Sequence, residues 1–245
     1  MSRSQALVDD HLLIDLNGDT FLHFMREGRT LWDVGHLLVT HSHGDHFALE
    51  EFHSRFPGIA HGVKDEKMSV YLSKDALAVL ETCQGVRGEN ERGRNARYDF
   101  VTVEPYRPFS FDGYTVTPLP AVHAAPETAL LYLIEKDGKC LFYGHDTGFF
   151  SEEIDDYLAQ GGKKIDLLSL DCTKGDNDFH YDTHMSMEEG KVIADRFRSR
   201  GLLADDVRLY YNHFSHNAGQ TYDELVKRAR RYGFFVAYDG LEVTF

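Results

Sequence analysis

The segment THSHGDHF (40–47) gathers His41, His43, Asp45 and His46 into six consecutive positions. Imidazole and carboxylate are the usual ligands of zinc and related divalent ions. The apolar run GHLLVT (35–40) leads straight into them, so the ligand-type residues stand at the end of a strand, on a rigid platform. Residues i and i+2 of an extended chain face the same way, which turns His41 and His43 toward one point. Gly44 then lets the chain turn and presents Asp45 and His46 at the start of a helix expected over FALEEFHSRF. The helix dipole would favour a carboxylate there. Four such groups at this spacing suit two adjacent ions better than one. Paired ions lower the pKa of a shared water and stabilise both attacking and leaving oxygens, which is the chemistry of hydrolysis.

Such a cluster needs a scaffold, and the rest of the chain reads as one. Strands are expected at HLLIDL (11–16), YDFVTV (98–103), YTVTPL (114–119), ALLYLI (129–134), KCLFYG (139–144), KIDLLSLD (164–171) and VRLYYNH (207–213). Asp137-Gly138 marks a hairpin. Ser151 with Glu152 and Glu153 opens a helix to about Gln160. Ser186 with Glu189 and Thr221 with Glu224 match the capping box, giving helices to about Arg200 and Tyr232, the second stopped by Gly233. The alternation fits a layered α/β protein.

With 245 residues and 42% apolar content, the chain suits a single domain spanning 1–245. No apolar run reaches membrane-span length, and MSRSQALVDD lacks the pattern of a signal peptide, so a cytoplasmic location is expected. Cys83, Cys140 and Cys172 are scattered and odd in number, which argues against a disulfide framework. They read as small buried hydrophobes, with Cys172 alone near enough to a strand end to approach the site. The net charge of −14 excludes a broad electrostatic grip on nucleic acid, so no stable nucleic-acid partner is expected. One basic segment, RGENERGRNAR (87–97), reads as a solvated loop or as a lid carrying arginine to an anionic substrate.

HSHGDH (41–46) resembles the HxHxDH signature of the metallo-β-lactamase superfamily. The likeness continues in order along nearly the whole chain. His123 in PLPAVHAAPE follows His41 by 82 residues, Asp146 in FYGHDTGF comes 23 later, and His213 in YYNHFSHN 67 after that. The resemblance implies a four-layered αββα sandwich of the α/β (α+β) class. It implies that His41, His43 and His123 hold one metal, that Asp45, His46 and His213 hold a second, and that Asp146 bridges them. Zinc is the foremost expectation for these two divalent ions, with manganese or iron as alternatives.

Within that superfamily several bonds are open, because a fold hosts many chemistries. DTHMSMEEG (182–190) resembles the His-Met-Ser segment of the cyclic phosphodiesterases, and NHFSHN (212–217) resembles the matching segment of ribonuclease Z and its relatives. His184 precedes the helix capped by Ser186, where free backbone donors would suit an anion. Its expected role is to contact phosphate or to protonate the leaving oxygen. His216 is a substrate contact on the same reading, and a rival to His213. Asp45 is expected to serve catalysis as well as metal binding.

The expected function is therefore a metal-dependent hydrolase acting on a small or cyclic, phosphate-containing anionic substrate, with a homo-oligomer as an open partner. The alternatives are a thioesterase or glyoxalase-II-like hydrolase, and a metal-stabilised binding module without turnover. The glycine-rich first strand and the protruding arm of ribonuclease Z are both missing, which places transfer-RNA processing behind a small substrate. His145 is expected to point away from the metals. His180 reads as a loop residue, and His11, His23, His36, His53 and His61 as structural.

Overall fold

The computed structural model describes residues 2–62, 67–87 and 96–245. Most of the arginine-bearing segment 87–97, including Arg92 and Arg94, lies outside these residues. The chain divides into two compact units, one of Ser2–Val103 with Pro126–Ala129 and one of Glu104–Ala125 with Leu130–Phe245.

The first unit carries a five-stranded sheet. Its strands are β1 (Ala6–Val8), β2 (Leu12–Ile14), β3 (His36–Leu38), β4 (Met68–Leu72) and β5 (Tyr98–Thr102), in that spatial order. β1 is antiparallel to β2, and every later pairing is parallel. Parallel strands are covered on both faces and so read as unbroken apolar runs. β2 is buried at all three positions. Leu13, Leu37, Val70 and Leu72 pack with Phe47, Phe52 and Phe56 in one core.

The second unit carries a seven-stranded sheet. β6 (Phe109–Phe111), β7 (Tyr114–Pro120), β8 (Leu130–Lys136) and β9 (Lys139–Gly144) pair antiparallel. β10 (Ile165–Asp171), β11 (Leu203–Asn212) and β12 (Phe235–Val236) continue it in parallel. Asp137 and Gly138 close the β8–β9 hairpin with φ of 50° and 80°. Positive φ at both central residues is the turn whose twist matches the flanking strands. The helices Met187–Ser199 and Tyr222–Tyr232 both begin with complete capping boxes, at Ser186/Glu189 and Thr221/Glu224. The second ends at Gly233 in the left-handed conformation, as expected. The helix Glu152–Gly161 also forms, although the Ser151 side chain makes no cap hydrogen bond. Its first turn is instead rich in acid, with Glu152, Glu153 and Asp155 near the positive helix end.

One expected element takes a different form. The segment after HSHGDH is a 3-10 helix over Leu49–Arg55, preceded by Ala48 in extended conformation. Asp45 and His46 therefore stand in a turn ahead of it, and the helix dipole is not what favours Asp45. The turn is fixed by hydrogen bonds from His46 N and Phe47 N to the His43 carbonyl, at 2.9 and 2.8 Å. Leu16 N donates to His46 O and Ala48 N to Leu16 O, tying the turn to the chain leaving β2.

Packing over the second sheet is close. Gly190, in the helix Met187–Ser199, has space for no side chain: a Cβ there would lie 2.7 Å from Tyr211 Cε1. Tyr211 is fully buried, donates its hydroxyl to Met187 O and stacks on Phe234 at 3.9 Å. Gly190→Ala should destabilise the protein by about 1–3 kcal/mol through overpacking. Urea unfolding checks this, and an unchanged midpoint would show that the helix is free to shift.

Candidate metal centre

The polar residues of both units lie where parallel strands end level with one another. In the first unit β2 and β3 are in register at Ile14 and Leu38, and Asp15 N donates to Leu38 O at 2.8 Å. Asp15 and Thr40 follow at once. In the second unit Leu170 pairs with Gly144 and Asp171 with Asn212, so β9, β10 and β11 finish together. Their continuations supply Asp146, Asp171 and His213. β7 runs in the same direction as β9, since both are antiparallel to β8, and its continuation brings His123 to the same edge. The carboxyl ends of parallel strands are where α/β sheets place ligands.

In the first unit His41, His43 and His46 converge. The His41 ring lies 4.4 Å from that of His43 and 4.5 Å from that of His46. His41 and His46 are buried, whereas His43 and Asp45 are exposed. His46 donates Nδ1–H to Asp15 Oδ2 at 2.7 Å, and its Nε2 faces Asp45 Oδ2 at 3.8 Å. Asp15 is fully buried and also accepts from Thr40 N and Thr40 Oγ1. Ser42, between the two histidines, is clasped by Glu127: Oε1 accepts from Ser42 N at 2.8 Å and Oε2 from Ser42 Oγ at 2.6 Å.

In the second unit Asp146 is buried at the hub of the cluster. His123 Nε2 stands 3.2 Å from Asp146 Oδ2, His213 Nε2 3.8 Å from the same oxygen, and His184 Nδ1 3.0 Å from Oδ1. His123 donates Nδ1–H to Thr183 O at 3.1 Å. The Nδ1 of His213 lies 2.7 Å from Thr173 Oγ1 and 3.3 Å from Asp171 Oδ2. His46 and His123 thus commit Nδ1 to an acceptor, and His213 directs Nδ1 to the same kind of outer contact. Nε2 of each is left facing inward, the arrangement that orients metal-binding imidazoles.

His184 is different. Its Nδ1 is the atom that meets the carboxylates, Asp146 Oδ1 at 3.0 Å and Asp171 Oδ2 at 3.2 Å. Burial opposes a charge on this ring, but the hydrogen bonds to Asp146 and Asp171 outweigh it and push its pKa up to about 9. Burial likewise opposes ionisation of Asp171, yet the hydrogen bonds with His184 and His213 hold its carboxyl well below the usual range. Asp171 is fully buried and further accepts from Thr173 N, Thr173 Oγ1 and Met185 N.

Three of the pivotal residues, Asp15, Asp146 and His213, have φ of 64°, 53° and 57°. Left-handed backbone at a non-glycine residue costs about 1–3 kcal/mol and gathers at functional sites.

Other expectations resolve as follows. At the helix start beside His184 three backbone donors are already engaged. Ser186 N is bound by Glu189 Oε2, Met187 N by Gly175 O, and Glu189 N by Ser186 Oγ. His216 is exposed on the short turn His216–Ala218 and belongs to neither cluster. His145 is buried away from the cluster, with Nε2 2.7 Å from Ser169 Oγ. Cys172 is buried with its thiol pKa pushed up by burial, so it supplies no reactive group. Asp15, Thr40, Asp171 and Thr173 escaped sequence reasoning. The signal for the two carboxylates was their place at the polar ends of LLID and LLSLD.

The family described as the Beta-lactamase superfamily domain matches residues 13–204. No curated protein matches the chain. Among solved structures, the metallo-beta-lactamase fold protein YhfI from Bacillus subtilis is similar at 18% identity and TM-score 0.69, covering 98% of this chain and 91% of that one. Zn(2+)-bound PqqB from Methylobacterium extorquens is similar at 17% identity and TM-score 0.69, covering 98% and 86%. The short form of human tRNase Z is similar at 14% identity and TM-score 0.67, covering 100% and 95%. The chain belongs to the β-lactamase superfamily, and its fold class is the αββα sandwich of the metallo-β-lactamase proteins. No helix among the described residues is long and apolar enough to cross a membrane.

The raised pKa of His184 has a consequence for stability. An imidazole in an unfolded chain titrates near 6.5. Held at about 9 in the fold, protonated His184 adds stability that is fully present below about 6.5 and lost as pH rises through about 9. Metal-stripped protein should therefore exceed His184→Ala in stability at about pH 6 and lose that margin by about pH 10. Urea unfolding at both pH values measures it, and a margin indifferent to pH would remove the charged contact with Asp146 and Asp171.

Proposed function

We propose that the protein is a dinuclear metal-dependent phosphodiesterase acting on a small or cyclic phosphodiester. The ligand assignment follows the family order. His41, His43 and His123 hold one ion, Asp45, His46 and His213 hold the other, and Asp146 is shared. The fit is supported within each unit by inward-facing Nε2 atoms on His46, His123 and His213 and by the buried Asp146 carboxylate. Divalent ions at such ligands polarise the scissile group and activate water. Zinc, manganese and iron all suit imidazole and carboxylate ligands, and availability decides among them.

The observation that carries the reading is the distinct pose of His184. Asp171 Oδ2 accepts its Nδ1–H and Asp146 Oδ1 lies 3.0 Å from the same nitrogen, so the two carboxylates favour the protonated ring and leave Nε2 as its second donor. Such a ring can give the Nε2 proton to a leaving alkoxide, and Asp171 retains the orientation throughout. A departing phosphodiester oxygen needs that proton more than a departing thiolate does, because a thiolate is the weaker base. Asp45, exposed beside His46, stands where it can also orient the attacking water.

Two variants separate the roles. Asp146→Ala should lower metal content, read by elemental analysis, together with turnover. His184→Ala should keep about two metals per chain but lose about 10²–10⁴-fold in kcat on phosphodiesters with an alkyl leaving group. If His184→Ala strips the metal, it is a ligand and not the proton donor. Failure to turn over any phosphodiester, with brisk cleavage of a thioester, would overturn the phosphodiesterase assignment.

A further inference from the structure

Between Thr173 and the helix Met187–Ser199 the chain forms a loop whose features the proposed chemistry leaves unused. Phe179 and Tyr181, two positions apart in DFHYD, put their rings on one side of the loop. The rings stack at 5.8 Å with an interplanar angle of 24°. Both remain exposed to water, at 38% and 39%. Tyr181 also meets the His184 ring edge-on at 6.0 Å.

The backbone beneath these rings is held firmly. Gly148 lies directly under the loop, where a Cβ would stand 1.6 Å from Asp182 O, so only glycine fits. Thr183 O accepts from His123 Nδ1 at 3.1 Å. Tyr181 O accepts from Lys174 Nζ at 3.3 Å, and that buried ammonium pairs with Glu189 Oε2 at 2.8 Å. The two exposed rings thus stand beside His184 on a loop anchored through Tyr181 O and Thr183 O. An aromatic pair fixed in place and open to solvent offers a flat face at little entropic expense on binding.

We propose that Phe179 and Tyr181 form a subsite for a planar aromatic or heteroaromatic group carried on the leaving oxygen of the substrate. The placement rests on the phosphodiesterase reading, since His184 defines the leaving side. Stacking recognises the π-face of a ring and not its hydrogen-bonding edge, so the subsite selects flat leaving groups as a class. Lys174 contributes through the loop: it holds Tyr181 O and touches no substrate.

Binding tests this without requiring turnover. Calorimetry on zinc-loaded full-length protein would compare 2-naphthyl phosphate with phenyl phosphate, which differ in stacking area but share the anionic head. Wild type should bind the naphthyl ester about tenfold more tightly. The double variant Phe179→Ala/Tyr181→Ala should lose at least about fivefold of that ratio, and Phe179→Leu/Tyr181→Leu should lose most of it while remaining apolar. Both positions are exposed, so a thermal midpoint within about 2 °C of wild type would show the fold intact. Equal binding of the two esters by wild type, or a preference that survives both variants, overturns the subsite. Hydrolysis of methyl 2-naphthyl phosphate is followed in parallel. A preference that is present and lost in the variants, without any diester hydrolysis, upholds the subsite and sinks the phosphodiesterase reading alone.

Discussion

Two carboxylates taken wholly out of water organise this protein's chemistry. Asp15 and Asp171 are each fully buried at the polar end of an apolar strand. A buried charge without partners is strongly unfavourable, and satisfying it demands several well-placed donors. Asp15 collects Thr40 N, Thr40 Oγ1 and His46 Nδ1. Asp171 collects Thr173 N, Thr173 Oγ1, Met185 N and His184 Nδ1, with His213 Nδ1 close by. The same device appears in both units. Each carboxylate stitches a strand end to a neighbouring loop and turns an imidazole so that one nitrogen is spoken for.

Fixing the ring also fixes its chemistry. An imidazole whose Nδ1–H is held by an acceptor presents Nε2 as a bare lone pair, which is what a divalent ion requires. His46 and His123 follow that pattern, and His213 shares its orientation. His184 instead meets two carboxylates through one nitrogen, which favours its charged form. These histidines are sorted into two kinds by their neighbours alone. The left-handed backbone at Asp15, Asp146 and His213 belongs to the same arrangement, because the chain must bend sharply as it leaves each strand.

The loop 173–186 shows how far this preorganisation extends. It is held from below by the absent side chain of Gly148, from one side by His123 and from the other by Lys174. Three of its helix-terminal donors, Ser186 N, Met187 N and Glu189 N, are engaged by the Ser186–Glu189 capping box and by Gly175 O. These contacts stabilise the helix start.

The sequence by itself determined most of the elements and the clustered imidazole and carboxylate residues of 41–46. Apolar runs, the Asp137-Gly138 turn and the two capping boxes report local energetics, and each forms as expected. The HSHGDH cluster is legible because its residues are neighbours in the chain. Local pattern misjudged the segment after it, where the ties between Leu16 and residues 46–48 hold the chain extended and delay a tighter 3-10 turn to Leu49. Only tertiary structure could reveal Asp15 and Asp171. A strand-end aspartate looks like any turn residue until the fold brings its donors to it: Thr40 and His46 reach Asp15 from 25 and 31 residues away, and His184 and Met185 reach Asp171 from 13 and 14. Which nitrogen of each histidine faces inward was likewise decided there, since that choice depends on an acceptor contributed by another segment of the chain.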